Sequence, residues 1–399
     1  MKLTVVIVSY NVKFYLDQCL HSIGKAMHGV DGKVYVIDNH SRDGSVEYLR
    51  QRHRDVTFIT SNHNLGFARA NNIVIKQTDS DYVLLLNPDT IVGEDVIKEC
   101  VAFMDSHADA GGLGVCMHTS TGKRAMESRR GLPTPMTAFY KMCGLCAMYP
   151  QSRRFGKYYM SYLPWDKPAQ IEVVSGAFFM IRREAMAKTG LLDEDFFMYG
   201  EDIDMSYRLI KAGYHNWYLP VDIVHYKGES TQKTSFSYVH VFYQAMLIFL
   251  RKHYGGLSVW ISIPVKVAIY AKATAALFKM MADKTRQSLG FTPRLRRRHT
   301  EYVFFCNADV EDTCHQIAFD NALDARFIIV DGSEATPESH NDSRVTINQK
   351  GDTCVVYDNG AYTYAQIMGF FAANPAENVL MGIFNRSDNS VITATDVFH

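Results

Sequence analysis

Two aspartates stand just past apolar runs and a third in an acidic, aromatic stretch. Asp38 follows the run 33–37, Asp89 follows 82–86 by way of Asn87 and Pro88, and Asp202 lies in an acidic and aromatic stretch, 191–204. His225, after the short apolar run 221–224, occupies the same kind of place. Carboxylate oxygen is what Mg²⁺ and Mn²⁺ prefer, Mn²⁺ also accepts imidazole, and a carboxylate that is not holding a metal can take up a proton. A single loop aspartate is more often a turn former or helix cap. Three of them at the strand ends of one sheet form a set.

The elements that must position this set alternate. Residues 3–9 form a continuous apolar run, which marks a strand buried on both faces, and 13–26 show helical spacing at Phe14, Leu16, Leu20 and Ile23. Strands at 33–37, 56–60 and 82–86 and helices at 45–52 and 66–77 continue the rhythm. Strand and helix in alternation predict a doubly wound parallel sheet, whose ligands sit outside the carboxyl ends of the strands. Residues 171–181 predict a strand broken at Ser175-Gly176, and 205–212 a helix with Asp202 at its cap or first turn. No GxGxxG follows the first strand and no GxxxxGK[ST] occurs, so dinucleotide and P-loop readings fail. A carboxylate at a strand end without a glycine cradle suits a site that grips a base and ribose directly and leaves a pyrophosphate to a metal ion.

Six segments resemble the family 2 glycosyltransferases, which have the A-type nucleotide-sugar-binding fold. They are Val5-Val-Ile-Val-Ser-Tyr-Asn11, Val36-Ile-Asp-Asn39 with Asp43-Gly-Ser45, Asn64-Leu-Gly-Phe67 with Ala70-Asn-Asn72, Leu84-Leu-Leu-Asn-Pro-Asp-Thr90, Ser175-Gly-Ala-Phe-Phe-Met-Ile-Arg182 and Gly200-Glu-Asp-Ile-Asp204. Each is weak alone; six in order, covering about residues 1–235, are specific. Within the family the pattern is similar to bacterial rhamnosyltransferase-type enzymes of cell-surface polysaccharide assembly.

The resemblance implies roles. Asp38 contacts the nucleobase, and Ser9, Tyr10, Asn11, Asn39, Asn71, Asn87 and Gly176 complete the donor site. Asp89 is the last residue of what relatives carry as Asp-x-Asp and binds a Mg²⁺ or Mn²⁺ that bridges the diphosphate, with His225 as a further ligand. Asn87 in place of the first Asp keeps an oxygen but removes a charge. Asp202 is the general base of an inverting single displacement, supported by Glu201. The implied donor is a nucleotide-diphosphate sugar such as dTDP-rhamnose or a UDP-sugar.

Basic and aromatic residues interleave between 123 and 159, among them Arg129, Arg130, Lys141, Tyr158 and Tyr159. They suit a glycan acceptor, lipid-linked through a pyrophosphate, with Arg129 and Arg130 as its contacts. A soluble acceptor fits the same residues. Residues 257–281 are interrupted by Pro264, Lys266, Lys272 and Lys279, and a spanning helix needs about 20 apolar residues. The pattern predicts an amphipathic helix on a bilayer surface, or one packed on the protein's own core. The basic run 294–298 suits anionic headgroups or a solvated linker.

Lys plus Arg and Asp plus Glu are 42 each, so the chain is formally neutral, which argues against a dedicated nucleic-acid binder. The neutrality is uneven: residues 301–399 hold 15 acidic and 4 basic groups, and residues 1–300 hold 27 and 38. Eight scattered cysteines and a strand pattern that begins at Leu3 predict a reduced, cytoplasmic protein, and the resemblance implies a place at the inner face of a bacterial cell membrane. Cys143-Gly-Leu-Cys146 has no second ligand pair and reads as two incidental thiols.

The expected architecture is α/β. A Rossmann-like mixed sheet with helices on both faces forms a catalytic domain over 1–235, followed by a helical, membrane-surface segment and basic linker over 236–298. A small acidic α/β domain of unknown role, over 299–399, has strands at 302–306, 327–330, 354–357 and 379–383 and a helix at 364–372. Two other functions compete with catalysis of sugar transfer. A non-catalytic nucleotide-sugar or glycan-binding subunit need not keep Asp38, Asp89 and Asp202 together, and nucleotidyl transfer wants a close acidic pair that Asn87 interrupts.

Overall fold

The computed structural model describes residues 1–226, 236–255, 274, 299–330, 338–342, 347 and 351–399. Apart from residue 274, the expected interfacial helix at 257–281 lies outside the described residues, as does the basic run 294–298.

The first sheet has strands β1 (Leu3–Ser9), β2 (Gly32–Asp38), β3 (Thr57–Thr60), β4 (Tyr82–Leu86), β5 (Thr90–Val92), β6 (Ala110–His118), β7 (Ala169–Ile171), β8 (Phe178–Arg182) and β9 (His215–His225). Their order is β3-β2-β1-β4-β8-β6-β9-β5, with β7 beside β9. The helices are α1 (Lys13–Ala26), α2 (Ser45–Arg52), α3 (Phe67–Gln77), α4 (Val96–Ser106), α5 (Pro135–Met142), α6 (Leu145–Met148), α7 (Arg183–Thr189), α8 (Glu201–Lys211) and α9 (Phe236–Tyr254).

Both faces of β1 are covered, as its unbroken apolar run requires. Leu3, Val5 and Ile7 pack with Leu16, Leu20 and Ile23 of α1 on one face. Val6 packs on the other, in a cluster with Val74 of α3 and Met205 and Leu209 of α8. Parallel pairing of β1 with β2 and β4 sets Ser9 opposite Asp38 and Ile7 opposite Leu86, so the polar residues after three strands gather at one end of the sheet.

The sheet is mixed, where strand and helix alternation predicts a parallel one. β8 begins beside the carboxyl end of β4, with Phe178 opposite Leu86, so the chain enters it from the site end and must run antiparallel. β5 and β7 are antiparallel to β9. The strand expected at 171–181 is two short strands, and Ser175, Gly176 and Ala177 are the link that leads into β8. α8 starts at Glu201, four residues before the expected start. Its N-cap is Gly200, at φ +88°. A side chain there would be strained, and its Cβ would meet the Phe196 ring at 2.9 Å. Glu201, Asp202 and Asp204 fill the first turn, where the helix dipole favours negative charge.

α9 packs behind the site. Ala245 and Phe249 join Phe196, Leu132 and Val173 in one cluster. Asp204 is the buried anchor of this contact: Arg208 lies 2.7 Å away, His253 2.7 Å and Lys252 2.9 Å.

The second sheet has the order β11-β10-β12-β13-β14-β15, from β10 (Thr300–Cys306), β11 (Asp324–Ile329), β12 (Asp352–Asp358), β13 (Val379–Asn385), β14 (Ser390–Thr393) and β15 (Val397–Phe398). The first four are parallel and the last two antiparallel. Its helix Tyr364–Ala373 docks on the first sheet's layer: Tyr364, Ile367, Met368 and Phe371 belong to the same buried cluster as Leu16, Ile91 and Val96. The Glu94 carboxylate accepts the Tyr364 and Ala365 amides at 2.8 and 3.0 Å, capping that helix from the other module. Each buried Ile, Met or Phe contributes about 1.5–3 kcal/mol and each hydrogen bond about 1 kcal/mol. Apolar burial therefore dominates the docking, and Glu94 fixes its register.

Candidate active site

At the carboxyl ends of β1 and β2, Ser9 pairs with Asp38, and Ser9 Oγ and Asp38 Oδ1 are buried without a hydrogen-bond partner among the described residues. Asp38 Oδ2 accepts the Ser41 amide at 3.0 Å, which fixes the carboxylate with its other oxygen left over. Asn11 sits in the left-handed region at φ +52°. Its Oδ1 accepts the Arg42 amide at 2.8 Å and its own amide donates to Ser41 Oγ at 2.9 Å, lacing the two post-strand loops together. His40 and Tyr199, at φ +74° and +66°, are further non-glycine residues in this region near the site. Each such residue costs roughly 1–3 kcal/mol, a strain that persists where the surroundings over-determine it.

Asn39 is turned to structural use. Its Nδ2 donates to Asn64 Oδ1 at 2.9 Å and to the Gly66 carbonyl at 3.2 Å, and its Oδ1 accepts the Leu65 amide at 2.7 Å. Asn71 Nδ2 donates to the Phe67 carbonyl at 2.9 Å, and Asn71 does not line the central cavity.

That cavity, about 370 Å³, opens beside Tyr10 and Asn39 and is lined by two sets of residues able to do chemistry. The first is Asn87, Asp89 and His225. Thr90 pairs with His225 in the β5–β9 ladder, so His225 is the last residue of a strand and not the first residue after one. Its Nε2 stands 3.2 Å from Asp89 Oδ1 and 3.2 Å from Asn87 Nδ2. Asp89 is buried, and its backbone carbonyl accepts the Tyr226 amide at 3.0 Å. A carboxylate, an imidazole and an amide that converge in a polar cavity fit Mn²⁺, and their oxygens also fit Mg²⁺.

The second set is Glu201, Asp202, Gly176 and Arg130. Asp202 Oδ2 is ion-paired with the Arg130 guanidinium and accepts the Gly176 amide at 3.2 Å, while Oδ1 accepts the Ile203 amide at 2.8 Å. Arg130 also donates to the Val174 carbonyl at 3.1 Å. Glu201 is buried beside Asp202, and burial first, then the Asp202 charge, push its carboxyl up to about 8. Near neutral pH Glu201 therefore holds a proton next to a carboxylate that is ion-paired, the split that lets two acids take different roles.

The structure separates the two predicted acceptor arginines. Arg129 has extended backbone and Arg130 bridges to Val173 as a strand residue does, where successive side chains point to opposite sides. Arg130 lines the cavity, with Lys141, Tyr158 and Tyr159 nearby on its wall. Arg129 is fully buried, donates to the Leu163 and Pro164 carbonyls and lies over the Trp165 ring at 3.5 Å.

Sequence reading also missed a group outside the cavity. Ligand atoms of Cys116, His118 and Asp222 lie within 4.8 Å of one another, a candidate metal-binding cluster. Cys116 and His118 are two apart on one strand, a spacing that puts them on one face, but nothing in the sequence joins Asp222 to them.

The strand ends thus open on a cavity that carries an acid pair and a set of metal-type ligands, an arrangement suited to an enzyme acting on a phosphorylated donor. The chain belongs to glycosyltransferase-like family 2, whose family model matches residues 2–240. It is 27% identical over 305 residues to the N-acetylglucosaminyl-diphospho-decaprenol L-rhamnosyltransferase of Mycobacterium tuberculosis, covering 72% of this chain and 95% of that protein. It is 24% identical to the rhamnosyltransferase WbbL of Escherichia coli, over 56% of this chain and 82% of that one. The mannosyltransferase from Pyrobaculum calidifontis, solved with GDP-Man and Mn²⁺, has a TM-score of 0.45 and 16% identity over 73% of this chain and 81% of its own. Among the described residues, no helix is long and apolar enough to cross a membrane.

Proposed function

We propose that the chain is an inverting, metal-assisted glycosyltransferase of the A-type fold, with its catalytic unit in residues 1–235. It moves a sugar from a nucleotide-diphosphate sugar to a hydroxyl of a glycan acceptor. The observation that carries the proposal is that Asn87, Asp89 and His225 share one cavity with Gly176, Glu201 and Asp202.

Ser9 and Asp38, with polar atoms left over at adjacent strand ends, receive the donor's base. Asp89, His225 and Asn87 hold the Mg²⁺ or Mn²⁺ that, when bound, offsets negative charge on the donor diphosphate. The acceptor oxygen attacks the anomeric carbon, the bond from that carbon to the diphosphate oxygen breaks, and the acceptor proton passes to Asp202. Nucleoside diphosphate leaves, and the anomeric configuration inverts. Protonated Glu201 keeps a second negative charge away from Asp202. Arg130 and Lys141, among Tyr158 and Tyr159, receive the acceptor.

The names of the relatives support a finer reading: a rhamnosyl donor and an acceptor glycan on a lipid diphosphate, in assembly of a bacterial cell-surface polysaccharide. Such an acceptor brings the enzyme to the inner face of the membrane. Incubation with dTDP-rhamnose and UDP-sugars, with Mn²⁺ or Mg²⁺ and either lipid-linked or water-soluble acceptors, tests it. Acceptor-dependent release of nucleoside diphosphate with the lipid-linked substrate is expected; turnover on soluble sugars alone contradicts the lipid acceptor.

A further inference from the structure

Cys116 and Asp222 are direct partners in the β6–β9 ladder, and the register shifts between Val115 and Cys116. A bulge of this kind re-aims side chains. Cys116 Sγ lies 3.5 Å from His118 Nε2, and Asp222 Oδ1 lies 2.8 Å from the same nitrogen. Zinc binds sulfur at about 2.3 Å and nitrogen at about 2.0–2.1 Å, so tetrahedral ligand atoms stand roughly 3.3–3.7 Å apart. The sulfur and nitrogen already have that separation, and the carboxylate needs to move out by about half an ångström.

The orientation of His118 separates a metal site from a nucleophilic relay. Its Nδ1 is 2.9 Å from the Gly122 carbonyl, and a carbonyl only accepts, so Nδ1 carries a hydrogen. In a relay of thiol, imidazole and carboxylate, the thiol and the carboxylate face different ring nitrogens. Here both meet Nε2, so no relay is built. With Nδ1–H held on a backbone carbonyl, Nε2 is the nitrogen left to face an ion, as in metal-bound histidine; without metal it donates to Asp222 at 2.8 Å, and the ion would replace that proton.

We propose that Cys116, His118 and Asp222 bind one Zn²⁺, with water in the fourth position. Cys116 and His118 are buried, while the Asp222 side chain is 46% exposed and leaves the ion open to solvent. A thiolate and a carboxylate balance the two positive charges. None of the three lines the candidate active site, so this ion is distinct from one at Asp89 and His225. The turn that orients His118 is fixed from the C-terminal module: Gly122 has φ +75°, and a Cβ on it would strike the Phe371 carbonyl at 2.0 Å. The zinc thereby ties the root of the excursion that carries Arg130, Lys141, Tyr158 and Tyr159 to β9, at the point where the second sheet's helix presses on it.

Cobalt substitution of the purified full chain tests the site, because a thiolate bound to Co²⁺ gives a charge-transfer band and Asn87, Asp89 and His225 contain no thiol. We expect one equivalent of Zn²⁺ to survive dialysis against excess Mg²⁺, and one of Co²⁺ to give the charge-transfer band with intense tetrahedral d–d bands. Cys116→Ser removes the band, and Cys143→Ser, at an exposed cysteine, keeps it. Asp222→Asn keeps the thiolate band but weakens zinc binding by roughly 10-fold or more. A cobalt form without the band, or a band that survives Cys116→Ser, overturns the proposal. If Cys116→Ser fails to fold, as judged by circular dichroism, unchanged zinc affinity in Asp222→Asn overturns it instead.

Discussion

Asp202 and Arg130 form an ion pair inside the candidate active site, on the same carboxylate oxygen that accepts the Gly176 amide. In the proposed reaction a base held this way would be oriented but occupied. An acceptor bearing negative charge would compete for the guanidinium and free Asp202 for the proton. The pair would thus link acceptor binding to readiness of the base.

Arg130→Ala is therefore expected to raise KM for a phosphorylated acceptor at least tenfold while nucleotide binding, followed by calorimetry, stays within twofold. Arg129→Ala behaves differently. Its guanidinium is buried on Trp165, so the loss appears as a lower melting temperature and not as a selective KM effect.

The two neighbouring acids separate by isosteric substitution. A positioned base contributes typically about 10²- to 10⁴-fold, so Asp202→Asn should lose transfer on that scale while still binding nucleotide. Glu201 is protonated near pH 7, because burial and Asp202 raise it to about 8, and a neutral glutamine should replace it with a few-fold loss in kcat at most. Equal losses in both variants contradict the assignment.

Glu201 also makes stability depend on pH. Its folded value of about 8 lies above the ordinary 4.5, so the folded state keeps a proton that the unfolded state gives up. Stability from this group is full below the ordinary value and is lost as pH rises through the folded one. Glu201→Gln should melt several degrees above wild type at pH 8, with the gap closing toward pH 5. A constant gap across that range in thermal scans contradicts the raised value.

Asn87→Asp restores a charge beside Asp89 and His225 and is predicted to lower the Mn²⁺ concentration for half-maximal activity about tenfold. Asp89→Ala should remove the metal response. Activity of wild type that is unchanged by chelator contradicts a metal at these residues.

Much of this was legible in the sequence. Helices 13–26 and 45–52 and strands 3–9 and 82–86 have the predicted bounds, because each is buried with a clean period or closed by strong turn residues. β6 was missed because Ala110-Gly-Gly-Leu-Gly lacks β-branched residues, and the helix Glu311–Asp320 because its first turn is polar. For the site, strand ends fixed which residues gather, and Asp89 with His225 and Asp202 with Glu201 duly line one cavity. What no spacing could reveal is which side chains the fold consumes. Asn39 is spent on its neighbouring loop and Arg129 on Trp165, while Glu94 leaves its own module to cap a helix 270 residues on.

Glu94→Ala removes that cap and leaves the apolar docking surface intact. A loss of about 1 kcal/mol is expected from capping energetics. Limited proteolysis should then cut within the C-terminal module faster than in wild type, with sugar transfer lowered less than stability.

The most direct test of the account is release of nucleoside diphosphate from a panel of nucleotide sugars, measured with Mn²⁺ and a lipid-linked glycan, in wild type and Asp202→Asn. The account predicts release from one donor class, stimulated by acceptor and lost in the variant although donor still binds. No release from any donor, or equal release by the variant, contradicts it.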